Sequence, residues 1–152
     1  MIHNDRTVAA LNSDRILLDH NLFGISPQEV GDTETVCAAL NSTICTLFRE
    51  FAGRANLGEG ALKTEGIDIK KLRVLSPSSV SDKLHGELVV RFDTLKSRPN
   101  MSIFDEVNQP DRQALDAIVL EALGFTTRKT GPGCSRSSTR RLLTWCVAAW
   151  SA

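Results

Sequence analysis

The amino-acid sequence predicts an α+β fold, in which a small sheet packs on helices, the C-terminal half is helical and the tail is disordered. Three observations lead to this prediction. Apolar residues recur at steps of three and four in three segments, as they do on one face of a helix. Short apolar and β-branched runs precede these segments, and acidic residues cease after Glu121. The chain has 152 residues, which suits one domain with a modest core.

The predicted strands lie near the amino terminus. Residues 6–10 and 15–25 are apolar and β-branched with polar breaks, which predicts two short strands or one strand with a lead-in. The stretch "SPQEVGD", residues 26–32, then predicts a turn.

The first predicted helix spans residues 33–52. Asp32 or Thr33 is suited to cap its first amides, and Gly53 is suited to end it in the left-handed conformation. Residues 41–43 are polar and have poor helix propensity. This polar patch is therefore either exposed to solvent or engaged in specific contacts. The apolar face of the helix consists of Val36, Leu40, Ile44, Leu47, Phe48 and Phe51.

The second predicted helix follows a segment with two interpretations. Residues 66–77 alternate apolar and polar residues before Pro77, which predicts a strand or a short turn-like segment. Residues 78–98 then show helical spacing, although Val89–Val90 leaves a strand as an alternative. The apolar stripe of this helix consists of Val80, Leu84, Leu88, Phe92 and Leu95.

The third predicted helix spans residues 110–124. Pro110 suits its first turn, and Gly124 suits its end. Its buried stripe consists of Leu115, Ile118, Val119, Ala122 and Leu123.

Charge and cysteine usage exclude several classes of protein. The formal net charge is zero, which argues against a globally basic coat for nucleic acid. Four cysteines without a Cys-x-x-Cys pair give no zinc or redox motif, and small buried thiols are the simpler interpretation. The sequence shows neither a secretory signal nor an apolar run long enough for a membrane span. We therefore expect a cytoplasmic protein without a membrane partner.

The segment "GRANLGEGALK", residues 53–63, has two interpretations. A phosphate-binding glycine loop needs a strand before it and a helix after it, whereas here a helix precedes the glycines and the spacing differs. A helix exit that needs left-handed residues explains the glycines alone. It does not explain Arg54, Asn56 and Lys63, because Arg and Asn suit base edges and Lys suits phosphate. Both a connection and a nucleic-acid contact remain open.

Three stretches together carry a resemblance to a known family. They are "LNSTICTLFREFAGRANLGEGALKTEGIDIKKLRVLSP", the upstream "RILLDHNLFGISP" and the downstream "SIFDEVNQPDRQALDAIVLEALGF". Their order and spacing over roughly residues 12–125 resemble the target-recognition, C-terminal region of adenine-specific N6 DNA methyltransferases in restriction–modification systems. The shared features are a Leu-Asn-Ser-Thr helix, a glycine-rich turn with a lysine, and an Asp-Arg followed by Leu-Asp.

The resemblance implies DNA target recognition without catalysis. In the family such a region follows a catalytic domain that binds S-adenosylmethionine and flips the adenine, and this chain lacks that domain. We therefore expect no catalytic, cofactor-binding or metal-binding residues here. The implied partners are double-stranded DNA and a separate methyltransferase catalytic subunit. The expected DNA contacts are Arg54, Asn56 and Lys63, with Arg49, Lys70 and Lys71 as weaker phosphate candidates.

The chain accordingly divides into three parts. Residues 1–75 form a recognition-like region, with strands, the helix at 33–52 and the glycine-rich loop at 53–63. Residues 76–125 form a helical segment. Residues 126–152 hold five bases and no acid, and we predict that this tail is disordered and is not part of the evolved fold.

Three alternatives stay open. The tail is either the product of a frameshift or a genuine basic tail that contacts phosphates. The whole chain is alternatively a truncated or frameshifted remnant that binds nothing. It is also consistent with a helical protein–protein adaptor that docks through the face of its first helix.

Overall fold

The computed structural model describes residues 8–52 and 65–125, together with the backbone of residues 2–3 and 62–63. Six helices occur in these parts: α1 Thr33–Leu40, α2 Thr43–Ala52, α3 Gly66–Lys71, α4 Asp82–Lys96, α5 Ile103–Glu106 and α6 Pro110–Ala122. Short 3-10 turns lie at Val30–Asp32 and Pro77–Ser79. Two-residue segments, β1 Ile2–His3 and β2 Leu62–Lys63, pair antiparallel.

The predicted α+β class is wrong for the described residues, which form helices joined by irregular segments. Residues 8–25 contain no strand, and the β1–β2 pairing is too short to be the predicted sheet. A segment with strand-like composition forms a strand only when another strand pairs with it, and no described segment pairs with residues 15–25. Residues 66–71 are helical instead, because the Asp68 carboxylate accepts the Glu65 amide at 3.0 Å and stabilises the helix start.

The core lies where α4 packs on α6 and α1 packs on α4. Leu88 and Leu115 have no exposed surface. The predicted second and third helices are confirmed as α4 and α6. The positive φ of 86° at Gly124 fits its predicted place at the end of α6, whereas Leu123 is 42% exposed and lies outside the stripe. The core cluster consists of Cys37, Ala38, Ala39, Leu75, Leu88, Phe92, Leu95, Leu115, Ile118 and Val119.

The first predicted helix is broken into α1 and α2 at Asn41–Ser42. The Ser42 hydroxyl accepts the Cys45 amide at 3.2 Å and so caps the start of α2. The break divides the predicted apolar face: Leu40 is buried, while Phe48 and Phe51 are 40% and 76% exposed. All three residues of the polar patch at 41–43 are buried, so the patch is engaged in contacts rather than exposed to solvent.

Candidate functional site

Arg98, just after α4, holds two carboxylates with its whole guanidinium group. Its Nη1 and Nη2 donate to the two oxygens of Glu106 at 2.8 and 2.9 Å. Its Nε and Nη2 donate to the two oxygens of Asp111 at 2.6 and 3.1 Å. The second N–H of Nη1 donates a hydrogen bond to the Pro99 carbonyl oxygen at 3.2 Å. All five donors are thus engaged, which is the planar geometry that arginine alone provides.

The two carboxylates differ in burial but share the direction of their pKa shift. Burial of Glu106 opposes its ionisation, but hydrogen bonds from Arg98 and the Met101 amide hold its pKa below its ordinary value. The Arg98 guanidinium also lowers the pKa of Asp111 against a smaller opposing effect of burial. Both groups are therefore charged members of an internal ion-pair cluster.

A second buried carboxylate stabilises the start of α2. Asp116 accepts the amide and the hydroxyl of Thr43 at 2.8 and 2.5 Å. Arg112 adds a hydrogen bond from its Nε to the Thr43 hydroxyl at 3.2 Å. Burial raises the pKa of Asp116, and Arg112 and the two Thr43 bonds oppose that rise. A negative charge here also meets the positive end of the α2 dipole.

Two motifs of the resemblance meet at this point. Residues 40–43 are the Leu-Asn-Ser-Thr motif, and residues 111–116 contain the Asp-Arg and Leu-Asp pairs. Thr43 and Asp116 are 73 positions apart in sequence, yet they share two hydrogen bonds. No pattern in the sequence predicts this contact, although Arg112 and Asp116 stand four positions apart beside the apolar Leu115. Polar residues so placed within an apolar stripe indicate a buried polar pair.

Asn41 fastens the amino-terminal segment to the α1–α2 corner. Its Oδ1 accepts the Ala9 amide at 3.0 Å, and its Nδ2 donates to the Ala9 carbonyl at 2.8 Å. The side chain therefore substitutes for the strand neighbour that residues 8–10 lack in the described structure.

Arg49 lies inside the protein rather than on its surface. It is 6% exposed, and its Nη2 donates to the Leu40 carbonyl at the end of α1 at 3.0 Å. Burial lowers the pKa of this guanidinium. A cation at a helix C-terminus is stabilised by the helix dipole, so Arg49 closes the α1–α2 corner. This weaker phosphate candidate is placed where a DNA backbone does not reach it.

The basic residues at the end of α3 are placed differently. Lys70 and Lys71 lie in its last turn, Arg73 follows, and all three are exposed. None of the three makes an ion pair or a side-chain hydrogen bond with the described residues. The two lysines are among the predicted phosphate contacts, whereas Arg73, two positions after Lys71, was missed. We call these three residues the basic run.

The strongest predicted contacts fall outside the described side chains. Arg54 and Asn56 lie outside the described residues, as does the tail from residue 126. Only the backbone of Lys63 is described, within β2.

Metal-ligand side chains do not cluster in the described residues. No group of three or more His, Cys, Asp or Glu side chains among residues 8–52 and 65–125 could hold a metal ion. Cys37 and Cys45 are buried as expected, and burial raises the pKa of Cys37 to about 11. None of the helices in the described ranges has the length and apolar character of a membrane span.

A cavity of about 350 Å³ lies between residues 8–13 and the end of α4. Its charged lining includes Arg98 and Glu106, and each of these side chains is already held by the ion-pair cluster. Its remaining wall is largely apolar, with Phe92 and Leu95.

The lowered pKa of Asp111 predicts a pH-dependent contribution to stability. Because the folded-state pKa is below the unfolded value of about 3.9, the contribution is present above that pH. It is lost as the pH falls through the folded-state pKa. We expect the difference in unfolding free energy between wild type and Asp111→Asn to be largest at neutral pH and to shrink below about pH 4. Urea titrations at several pH values measure it, and a pH-independent difference contradicts the ionic pairing.

Comparisons of this chain with protein-family models, with curated protein sequences and with solved structures give no significant match.

Proposed function

We propose that this chain is a DNA target-recognition module, or C-terminal fragment, of an N6-adenine DNA methyltransferase, and that it performs no catalysis by itself. The observation that carries the proposal is the basic run, which follows the glycine-rich segment, is exposed and has no ionic partner among the described residues. Elsewhere, Arg49, Arg98 and Arg112 are turned inward and serve the fold. Unpaired surface cations are the groups that release counterions on binding a phosphate backbone.

The buried polar residues support the proposal by holding α2. Asp116 and Arg112 hold the first residue of α2, and Arg49 joins the last turn of α2 to the end of α1. The glycine-rich segment, residues 53–63, follows α2 in the sequence, and we propose that a helix held in this way supports its contacts. Base-reading groups need such support, because small displacements weaken directional hydrogen bonds.

The chemistry of the side chains suggests which residues contact phosphates and which contact bases. The basic run and Lys63 contact phosphates and set the register on the duplex, while Arg54 and Asn56 contact base edges. S-adenosylmethionine and the methyl transfer belong to a separate catalytic subunit in the cytoplasm.

Removal of the basic run tests the proposal. We expect the triple change Lys70→Ala, Lys71→Ala and Arg73→Ala to weaken duplex binding across all sequences. Each lost phosphate contact lowers the slope of log affinity against log salt by about 0.9, so the triple variant loses about 2.7. Fluorescence anisotropy of a labelled duplex over a range of salt concentrations gives both quantities.

Lys83→Ala is the matched control, because Lys83 is an exposed lysine that faces Glu87 on α4. It should leave the slope unchanged. Equal slopes for wild type and the triple variant count against the phosphate role, and an absence of wild-type duplex binding favours the remnant alternative.

A protein–protein adaptor is the second candidate, and the exposure of Phe48 and Phe51 on α2 favours it. An adaptor needs no duplex binding and keeps its partner at high salt, since apolar contacts are not screened. Salt-sensitive DNA binding therefore separates the two functions.

A further inference from the structure

The cavity beside the amino-terminal segment and the end of α4 has the size and lining of a small-molecule site. Its volume of about 350 Å³ lies within the range of roughly 300–1,000 Å³ that ligand pockets occupy. Leu11, Phe92 and Leu95 form an apolar part of its wall. The lining residues Ala10 and Ser13 are exposed, so this side of the cavity meets solvent.

Arg112 brings a cationic donor without a hydrogen-bond acceptor to this wall. It is 2% exposed and lines the cavity, and its Nε and Nη2 donate to the hydroxyls of Thr43 and Thr46. Its Nη1 makes no hydrogen bond with the described residues and has only a 4.0 Å ion-pair contact with Glu106 Oε2. Asp116 does not fill this place, because both of its oxygens accept from Thr43. Since buried donors are normally satisfied, Nη1 is available to a further acceptor.

Two neutral polar side chains also line the cavity. Asn100 is half-buried and Ser13 is exposed, and neither side chain makes a hydrogen bond with the described residues. Amide and hydroxyl groups both donate to oxygen atoms. Together with Arg112 they give one apolar space three available donor groups. Apolar walls with a few such polar groups are the usual composition of a site that orients a ligand.

The charged side chains of the lining favour an anionic ligand. Among the described lining residues, Lys96, Arg98 and Arg112 are cations against the single acid Glu106. Arg98 and the Met101 amide already hydrogen-bond the oxygens of Glu106, which compensates its charge. The other carboxylates that pair with Lys96 and Arg98, on α4 and α6, lie outside the lining. A carboxylate therefore matches this lining better than an amine does.

We propose that this cavity binds a small molecule with an apolar body and a carboxylate group, whose oxygens accept hydrogen bonds from Arg112 and Asn100. The apolar body lies against the aliphatic and aromatic part of the wall. Hydrogen bonds from a guanidinium to a carboxylate are roughly twice as strong as those between neutral groups, so the charged group decides the choice of ligand. The basic run is not part of the lining, and the site is therefore independent of the proposed DNA contacts.

Three probes of similar size and different charge test the proposal: hexanoate, hexanamide and hexylammonium. Each is titrated into the full chain, and the shifts of the backbone amides are followed in hydrogen–nitrogen correlation spectra. We expect saturable binding of hexanoate in about the millimolar range, with hexanamide about fivefold weaker and hexylammonium weaker still. The shifted amides should include those of Leu11, Ser13 and Asn100.

Asn100→Asp puts a negative charge on the cavity wall with almost no change in shape. The fold should survive, as far-ultraviolet circular dichroism verifies. The change should weaken hexanoate binding by about tenfold or more and strengthen hexylammonium binding. Asn21→Asp is the matched control, since Asn21 is exposed and outside the lining, and it should leave hexanoate binding unchanged.

Several results would overturn the proposal. They are an absence of saturable hexanoate binding, equal binding of hexanoate and either other probe, shifts confined to residues outside the lining, and equal effects of the two aspartate variants.

Discussion

Arg98→Ala should destabilise the fold by about 3–5 kcal/mol, the cost of breaking a buried ion pair by removing one partner. Glu106 is 2% exposed, and the change removes the two charged hydrogen bonds from Arg98 that pair its carboxylate. The change also frees Asp111 from its two bonds at the start of α6. Urea unfolding followed by circular dichroism measures the free energy directly.

Two further variants isolate the cause. Arg91→Ala removes an exposed arginine from α4 and should change the unfolding free energy by no more than about 0.5 kcal/mol. Glu106→Gln combined with Arg98→Ala should cost less than the sum of the single changes, because the uncompensated charge disappears. Strict additivity would show that Arg98 and Glu106 do not act as a pair.

Leu115→Ala should destabilise the fold by about 2–5 kcal/mol, since the residue is completely buried in the core. The substitution leaves a cavity between α6 and the helices packed on it. Leu115 is also next to Asp116, whose carboxylate holds the start of α2. Leu17→Ala, at a 94% exposed position, is the control and should change stability by no more than about 0.5 kcal/mol. Similar losses in the two variants would mean that the described core is not where stability resides.

The long periodic stripes could be predicted from the sequence. Leu88, Phe92 and Leu95 are buried as their spacing required, because a fifteen-residue helix gives the pattern several turns in which to repeat. In shorter segments the spacing of apolar residues did not distinguish a helix from a strand. Residues 66–71 alternate like a strand but form a helix, and their acidic first turn was the local signal for it.

The wrong predictions have a common physical cause, which is that they depend on contacts between distant parts of the chain. Residues 15–25 have strand composition, but a strand exists only with a neighbour, and single-chain patterns do not show whether one is present. The break at Asn41–Ser42 depends on contacts with Ala9 and with the distant Asp116, which spacing alone does not reveal. Of the candidate site, the sequence could name exposed lysines but could not show that Arg49 turns inward.

Selection of binding sites from a pool of random duplexes tests target recognition most directly. The full chain is incubated with the pool at moderate salt, and the retained duplexes are amplified and sequenced over several rounds. We expect enrichment of one short adenine-containing sequence, since base-edge contacts discriminate by about 1–3 kcal/mol per base pair. Retention of duplexes without any enriched sequence, or no retention at all, would contradict it.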